Sequence, residues 1–308
     1  MAGNLKTGKS SLIRKLPELR NRMLDQITPI ILTYNEAANI GRTLERLRWA
    51  RDIVVVDSFS NDETLEIVSS FSQARVYQRP FDNFAAQWNF ALKETAIATE
   101  WVLGLDADFV LTQESIEELE LLQPPENAHG YRAPITYCVD GKALRYSLLP
   151  PLMVLYRRNA ARYSTDAHTY RVELDGDVGR LRAQILHDDR KSIRRWFQSQ
   201  QCYMELEASK ILTATTDQLN FADRIRRLRI VAPAAVFIYC LIRGGVLDGW
   251  AGLYYAMQRS VAELLLSLYL LEHDLRLKKI HPVESAKEDL SRTASLAIAT
   301  KVARASRP

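Results

Sequence analysis

An open α/β fold with a mostly parallel, doubly wound sheet is predicted by three features of this 308-residue chain. Short apolar runs suited to buried strands alternate with stretches of helical periodicity. Polar and acidic residues collect where those runs end. The fourth run, Trp101-Val102-Leu103-Gly104-Leu105, leads directly into Asp106-Ala107-Asp108. Residues two apart on an extended backbone point the same way, so Asp106 and Asp108 can meet one hard cation. Oxygen ligands suit Mg²⁺ or Mn²⁺, which complete their shells with phosphate and water. In open α/β sheets, ligands bind outside the carboxyl ends of the strands.

The elements follow in order. Ile30-Ile31-Leu32 is a short buried strand ending in Thr33-Tyr34-Asn35-Glu36, and Ile40, Leu44 and Leu47 recur at helical spacing behind it. Ile53-Val54-Val55-Val56 is a second strand with Asp57 at its tip. Ser58-Phe59-Ser60-Asn61-Asp62 then supplies turn and capping chemistry. A helix carries Leu65, Val68 and Phe71, and Arg75-Val76-Tyr77 is a third strand. Phe84, Trp88 and Leu92 face inward from the next helix, ahead of the Asp106 strand.

Composition narrows the function. Apolar residues make up 47%, enough for a large core, and the net charge is only +4. Acidic residues are denser before residue 130 and arginines crowd the second half. That distribution argues against a uniformly nucleic-acid-coating protein and is compatible with one basic face turned to an anionic surface. Cys138, Cys202 and Cys240 form no paired framework and read as small core residues in a reduced compartment. The N-terminus shows no apolar signal-peptide core, so a cytoplasmic location is expected. Gly8-Lys9-Ser10 lacks the preceding glycine and strand of a P-loop. No Gly-x-Gly-x-x-Gly follows the first strand and no Gly-x-Ser-x-Gly elbow occurs. Dinucleotide enzymes and α/β-hydrolases are thereby disfavoured.

Five segments in order resemble the successive motifs of family 2 glycosyltransferases. They are Thr33-Tyr34-Asn35-Glu36, Val54-Val55-Val56-Asp57-Ser58, Arg79-Pro80-Phe81, Gln87-Trp88-Asn89-Phe90-Ala91-Leu92 and Leu105-Asp106-Ala107-Asp108. The likeness is strong over about residues 27–120, weaker to about 275, and greatest to the lipopolysaccharide core β-1,4-glucosyltransferase branch. It implies a GT-A fold, a UDP-sugar donor, Mg²⁺ or Mn²⁺, and inversion at the anomeric carbon. It implies that Asp57 meets the uracil or ribose, and that Asp106 lies against the ribose or a metal-bound water. Asp108 would ligate the metal, Thr33, Asn35 and Glu36 would border the nucleoside, and Asn89 would brace the pocket.

The base for the acceptor hydroxyl follows from the same resemblance. The branch carries a His-Glu pair where this chain has Asp166-Ala167-His168-Thr169. Thr169 cannot serve as a base near neutral pH, which leaves Asp166 or His168 in that role. It also leaves open a catalytically impaired protein that binds nucleotide sugars. His187, in Ile185-Leu186-His187-Asp188-Asp189, is a candidate contact to diphosphate or metal.

Tyr131–Tyr137 is expected to return as one strand, with Asp140-Gly141-Lys142 a hairpin turn and Leu152–Arg158 a partner. From Ser192 the pattern is helical. The basic run Asp223–Ile230 leads into the uncharged stretch Val231–Ile242, too short to span a bilayer. Arginines beside an apolar stretch suit an interfacial helix on anionic lipid, the alternative being a buried core helix with a solvated flank. The organisation expected is an N-terminal arm (1–25), a GT-A domain (26–190), a helical membrane-associating region (191–275) and a polar basic tail (276–308). The partners expected are a UDP-sugar, an amphiphilic glycan acceptor and an anionic inner membrane face, without nucleic acid.

Overall fold

A computed structural model of the chain describes residues 23–166, 169–215, 219–229 and 231–280. These fall into two compact units. The first runs to Ala143 and adds Leu149–Thr165 and Tyr170–Arg190; the second takes Leu144–Leu148, Asp166, Thr169 and the described chain from Lys191 on.

The first unit is built on β1 (Ile27–Thr33), β2 (Ile53–Asp57), β3 (Ala74–Gln78) and β4 (Trp101–Asp106), all parallel. Helices α1 (Ile40–Glu45) and α2 (Thr64–Ser69) carry the chain outward from β1 to β3. Helix α3 (Phe84–Glu94) then returns it to β4 on the other side of β1. The direction of winding therefore reverses between β1 and β4, the position where α/β sheets form a binding crevice.

The two-residue period of the strands distributes the core to both faces. Ile31, Ile53, Val55, Leu103 and Leu105 pack under Ile40, Leu44, Leu47, Val68 and Phe71 of the α1–α2 layer. Ile30, Val54, Val56 and Val102 pack with Trp88, Ala91 and Leu92 of α3 on the opposite face. Gly104 is required there, because a Cβ at that position would sit 2.7 Å from the Tyr156 hydroxyl oxygen. That hydroxyl is buried and paired with Tyr163 at 2.6 Å, and the Tyr163 ring stacks on Trp88 at 5.2 Å between centroids.

Beyond β4, strand β5 (Phe109–Leu111) and α4 (Gln113–Leu121) precede β6 (Ala128–Ala133), β7 (Ile135–Val139) and β8 (Lys142–Ala143). Later come β9 (Leu152–Arg157), β10 (Ala161–Asp166), β11 (Thr169–Leu174), β12 (Asp177–Arg180) and β13 (Ile185–His187). The main sheet has seven strands in the order β3-β2-β1-β4-β9-β6-β12, with β9 antiparallel to both neighbours. A smaller sheet has the order β5-β13-β7-β8.

The single strand expected over Tyr131–Tyr137 is two strands. Pro134 lacks an N–H and breaks it, so β6 joins the main sheet and β7 the smaller one. Asp140 and Gly141 have φ of 49° and 78° and make the two-residue hairpin turn between β7 and β8. Leu152–Arg157 pairs with β6 as expected. Cys138 and Cys240 are buried, and burial pushes the Cys138 thiol up to about 11; Cys202 is exposed on a helix surface, contrary to its core assignment.

The second unit is helical: α5 (Ile193–Thr213), α6 (Phe221–Arg226), α7 (Val231–Cys240) and α8 (Trp250–Ile280). Ser192 caps α5 by accepting from the Arg195 N–H. Ala208 and Ile211 of α5 pack against Leu266 and Leu270 of α8. A π-turn, Leu241–Gly245, joins α7 toward α8. Gly252 is obligatory in that hairpin, since its Cβ would lie 2.1 Å from the Gly245 carbonyl oxygen.

Two expectations are corrected here. The basic run is not one helix continuing into the apolar stretch: α6 stops at Arg226, and Arg229 has φ of 61°. Nor does the helix end at residue 275, because α8 continues to Ile280. Among the described residues no helix is long and apolar enough to cross a membrane. Gly8-Lys9-Ser10 and most of the basic tail lie outside the described residues.

Candidate active site

The register of the sheet sets out the site. Thr33 of β1 lies opposite Asp57 of β2, and Leu32 lies opposite Asp106 of β4. Asp57 and Asp106 therefore end strands that flank β1, two strand spacings apart, or roughly 10 Å. They stand on either side of the crevice defined by the reversal in winding.

Asp57 is fully buried. Its Oδ1 accepts from the Thr33 hydroxyl at 2.8 Å and from the Ser60 hydroxyl at 2.5 Å, and its Oδ2 accepts from the Ser60 N–H at 2.8 Å. The Asn35 N–H donates to Ser60 Oγ, and Asn35 Oδ1 accepts from the Asn61 N–H, both at 2.8 Å. The Glu36 N–H donates to Thr64 Oγ1 and the Ala37 N–H to Asp62. These bonds lock the loop after β1 to the loop after β2. The sequence singled out Asp57, Thr33, Asn35 and Glu36 as site residues, read Ser60 and Asp62 only as turn and capping residues, and did not mark Thr64. The capping-type spacings Asp57-x-x-Ser60 and Asp62-x-Thr64 were the available signal.

Asp106 ends β4 and Asp108 lies in the turn before β5. The Asp108 carbonyl accepts from the Asp188 N–H, which ties this turn to the end of β13. His187 Nε2 is 3.1 Å from Asp108 Oδ2. Burial alone would lower the proton affinity of the imidazole. The Asp108 carboxylate, with Asp106 and Asp189 behind it, outweighs burial and raises the His187 pKa above its ordinary value. His187 thus lies against Asp108.

A second network, invisible in the sequence, fixes β13 to α1. Arg42 donates to the Asp188 carboxylate and to the Asp188 carbonyl, and the Gly141 N–H and Arg190 Nε donate to the same carboxylate. Burial opposes the charge on Asp188, and these donors together hold its carboxyl below the usual range. Asn39 bridges Glu36 and Asp189 through its Nδ2 and accepts from the Arg190 N–H. Only the tertiary fold brings these residues, up to 151 positions apart, together.

Asn89 sits elsewhere. Its amide donates to the Tyr163 carbonyl and accepts from the Tyr163 N–H, so both polar ends clamp α3 to β10. Asp166 ends β10, and its side chain, like His168, lies outside the described residues. A cavity of about 370 Å³ lined by Glu100, His129, Arg157, Asn159, Ala160 and Asp175 occupies the amino ends of β4 and β6, opposite the acidic edge.

Among the described residues no group of three or more His, Cys, Asp and Glu side chains is arranged to hold a metal ion. Asp106 and Asp108 are the carboxylates that would hold a cation through part of its shell. His187 faces Asp108 through Nε2, and its buried Nδ1 has no hydrogen-bond partner. Magnesium and manganese commonly bind through one or two carboxylates and take their remaining oxygens from phosphate and water.

The α/β unit, with its mostly parallel sheet, has a GT-A-like fold. Residues 28–164 match the family model described as Glycosyl transferase family 2. An uncharacterized glycosyltransferase of Rickettsia typhi is 31% identical over 147 residues, 46% of this chain and 49% of that protein. One of Rickettsia bellii is 36% identical over 109 residues, 35% of this chain and 36% of that protein. The chain thus spans about half or less of these relatives. The lipopolysaccharide core biosynthesis glycosyltransferase LpsC of Rhizobium meliloti is 28% identical over 255 residues, 78% of this chain and 89% of LpsC. A crystal structure of S. aureus TarS 1-349 in complex with UDP-GlcNAc aligns with a TM-score of 0.44 and 16% identity, covering 81% of this chain and 92% of that one. At that score it bears on neither donor nor site.

Proposed function

We propose that the chain is an inverting glycosyltransferase that moves a hexose from a UDP-sugar to an amphiphilic glycan, lipid-linked or of lipopolysaccharide or exopolysaccharide type. The observation that carries this reading is the alignment of Asp57, Asp106 and Asp108 along the edge where the sheet reverses its winding. A nucleoside diphosphate spans that distance, with its base toward Asp57 and its phosphates toward Asp108. The name of LpsC supports the acceptor class, and the motif resemblance supports the uridine nucleotide.

The acceptor oxygen attacks the anomeric carbon from the face opposite the diphosphate. The bond between that carbon and the phosphate oxygen breaks, and UDP leaves with the electron pair. The hydroxyl proton passes to Asp166 or His168. Asp108 and Asp106, with His187 beside them, would hold Mg²⁺ or Mn²⁺, whose role is to neutralise charge on the departing diphosphate. Thr33 and Ser60 keep the Asp57 carboxylate oriented at the nucleoside end, and Arg42 and Asp188 hold the β13 segment that carries His187. Incubation with UDP-sugars and Mn²⁺ should release UDP faster when a glycolipid extract is present. Tight UDP-sugar binding without release under either condition would instead indicate the impaired, nucleotide-sugar-binding protein that Thr169 raises.

The membrane contact is assigned to a different surface from the arginine run. Arg226 is bonded to Glu263 and Asp223, Arg229 to Asp274, Arg227 to the Ile211 and Ala214 carbonyls, and Arg224 to the Leu219 carbonyl. Their head groups serve the helical unit itself. The tip of the α7–α8 hairpin instead exposes Ile242, Val246, Leu247 and Trp250, the last at 85%. Arg243 stacks beside them over Tyr146 and Tyr239. Apolar side chains ringed by aromatic and basic ones suit a peripheral seat on the inner face of the cytoplasmic membrane. The double change Leu247→Gln and Trp250→Gln should release the protein from phosphatidylglycerol vesicles. Unchanged co-sedimentation would remove the tip from this role.

A further inference from the structure

Phe59 stands two residues past Asp57, in the loop at the carboxyl end of β2. Its φ is 59°, in the left-handed region that a side chain with a Cβ disfavours and a bulky one most of all. Glycine would make the same turn without strain. The usual repayment for a strained aromatic is burial, yet Phe59 is 53% exposed. The turn leaves it no freedom to relax. Ser60, the next residue, is bound to Asp57 through both its N–H and its hydroxyl, Asn61 donates to Asn35, and the Ser58 N–H donates to the Thr33 carbonyl. A flat apolar ring is thus held at the rim of the candidate site by a backbone that would favour its absence. Strain of this kind concentrates where a side chain meets a ligand.

The position selects the ligand. Asp106 and Asp108 mark the diphosphate end of the crevice, at β4. Phe59 lies at the opposite end, beyond β2, where the nucleoside must extend. Aromatic rings bind nucleobases face to face, because every base presents a π-face. We propose that Phe59 is a stacking shelf for the nucleobase of the donor's nucleoside diphosphate, and so a determinant of donor affinity that acts on the base alone. The inference rests on the transferase reading above.

Calorimetry with Mn²⁺ tests it, using UDP and inorganic pyrophosphate as probes on wild type, Phe59→Ala, Phe59→Gly and Phe59→Tyr. The Ala and Gly variants should weaken UDP binding about tenfold or more. Pyrophosphate binding should stay unchanged, and Tyr should restore the UDP affinity. Phe59→Gly should melt no lower than wild type, since it removes the backbone strain, so lost affinity is not lost folding. Unchanged UDP affinity in the Ala and Gly variants would overturn the shelf while leaving the transferase reading intact. Equal weakening of UDP and pyrophosphate would also overturn it, as the mark of a collapsed turn. A wild-type protein that binds no UDP would overturn the transferase reading and the shelf with it.

Discussion

Asp108→Ala is expected to lower metal-dependent release of UDP by about 10²–10³-fold, the range found when one preorganised group facing transition-state charge is removed. The structural reasons are specific. The Asp108 side chain is buried in a turn fixed at both ends, by β4 before it and by the Asp188 N–H on its own carbonyl. That backbone bond survives the substitution, and so does the Arg42–Asp188 network holding β13. The chain should therefore remain folded, with a melting temperature within a few degrees of wild type. The His187 imidazole loses the carboxylate that raises its pKa, so its proton affinity should fall, a change that NMR titration of the imidazole would read. Near-wild-type turnover in saturating Mn²⁺ would remove Asp108 from the metal site.

Asp57→Ala should act on folding and binding together. Its carboxylate receives three hydrogen bonds in a fully buried position. Removing it orphans the Thr33 hydroxyl and the Ser60 N–H, each of which costs ~1–3 kcal/mol when left buried and unpaired. A loss of about 2–6 kcal/mol follows, or roughly 4–24 °C in Tm at about 2–4 °C per kcal/mol for a domain of this size. Asp57→Asn should not rescue the loss in full, because an amide NH₂ placed at Oδ2 would face the Ser60 N–H donor. UDP affinity should fall at least tenfold, since Asp57 fixes both Thr33 and Ser60 at the nucleoside end of the crevice. Thermal melts and calorimetry separate the two effects. Unchanged stability with lost affinity would show that Asp57 faces the nucleotide directly and does not hold the loops.

Much of the first unit was legible because its signals are local. Four strand-like runs, the first three each followed by helical periodicity, are enough to predict parallel strands with helices on both faces. The acidic residues at their tips then point to one edge. Register was not legible. That Asp57 stands opposite Thr33, with Asp106 beside Leu32, depends on strand pairing and not on spacing along the chain. The Asn39–Arg42–Asp188 network was likewise hidden, since its members are ordinary surface types until the fold buries them together. The arginine run misled for a related reason. Four guanidinium groups in six residues look like an exposed basic patch. Their acidic partners Glu263 and Asp274 lie 37 and 45 residues away on α8, beyond the reach of any local pattern. Phe59 carried no sequence signal of strain, because its φ is set by the Asp57–Ser60 turn around it.

A crystal structure of the protein grown with UDP and Mn²⁺ tests the placement of the donor most directly. The anomalous signal of the manganese should lie against Asp108, with the diphosphate across it, the nucleoside running past Thr33 toward Asp57, and the base on Phe59. UDP bound elsewhere, such as in the cavity between Glu100 and His129 at the opposite end of the sheet, would contradict the assignment of the acidic edge as the donor site.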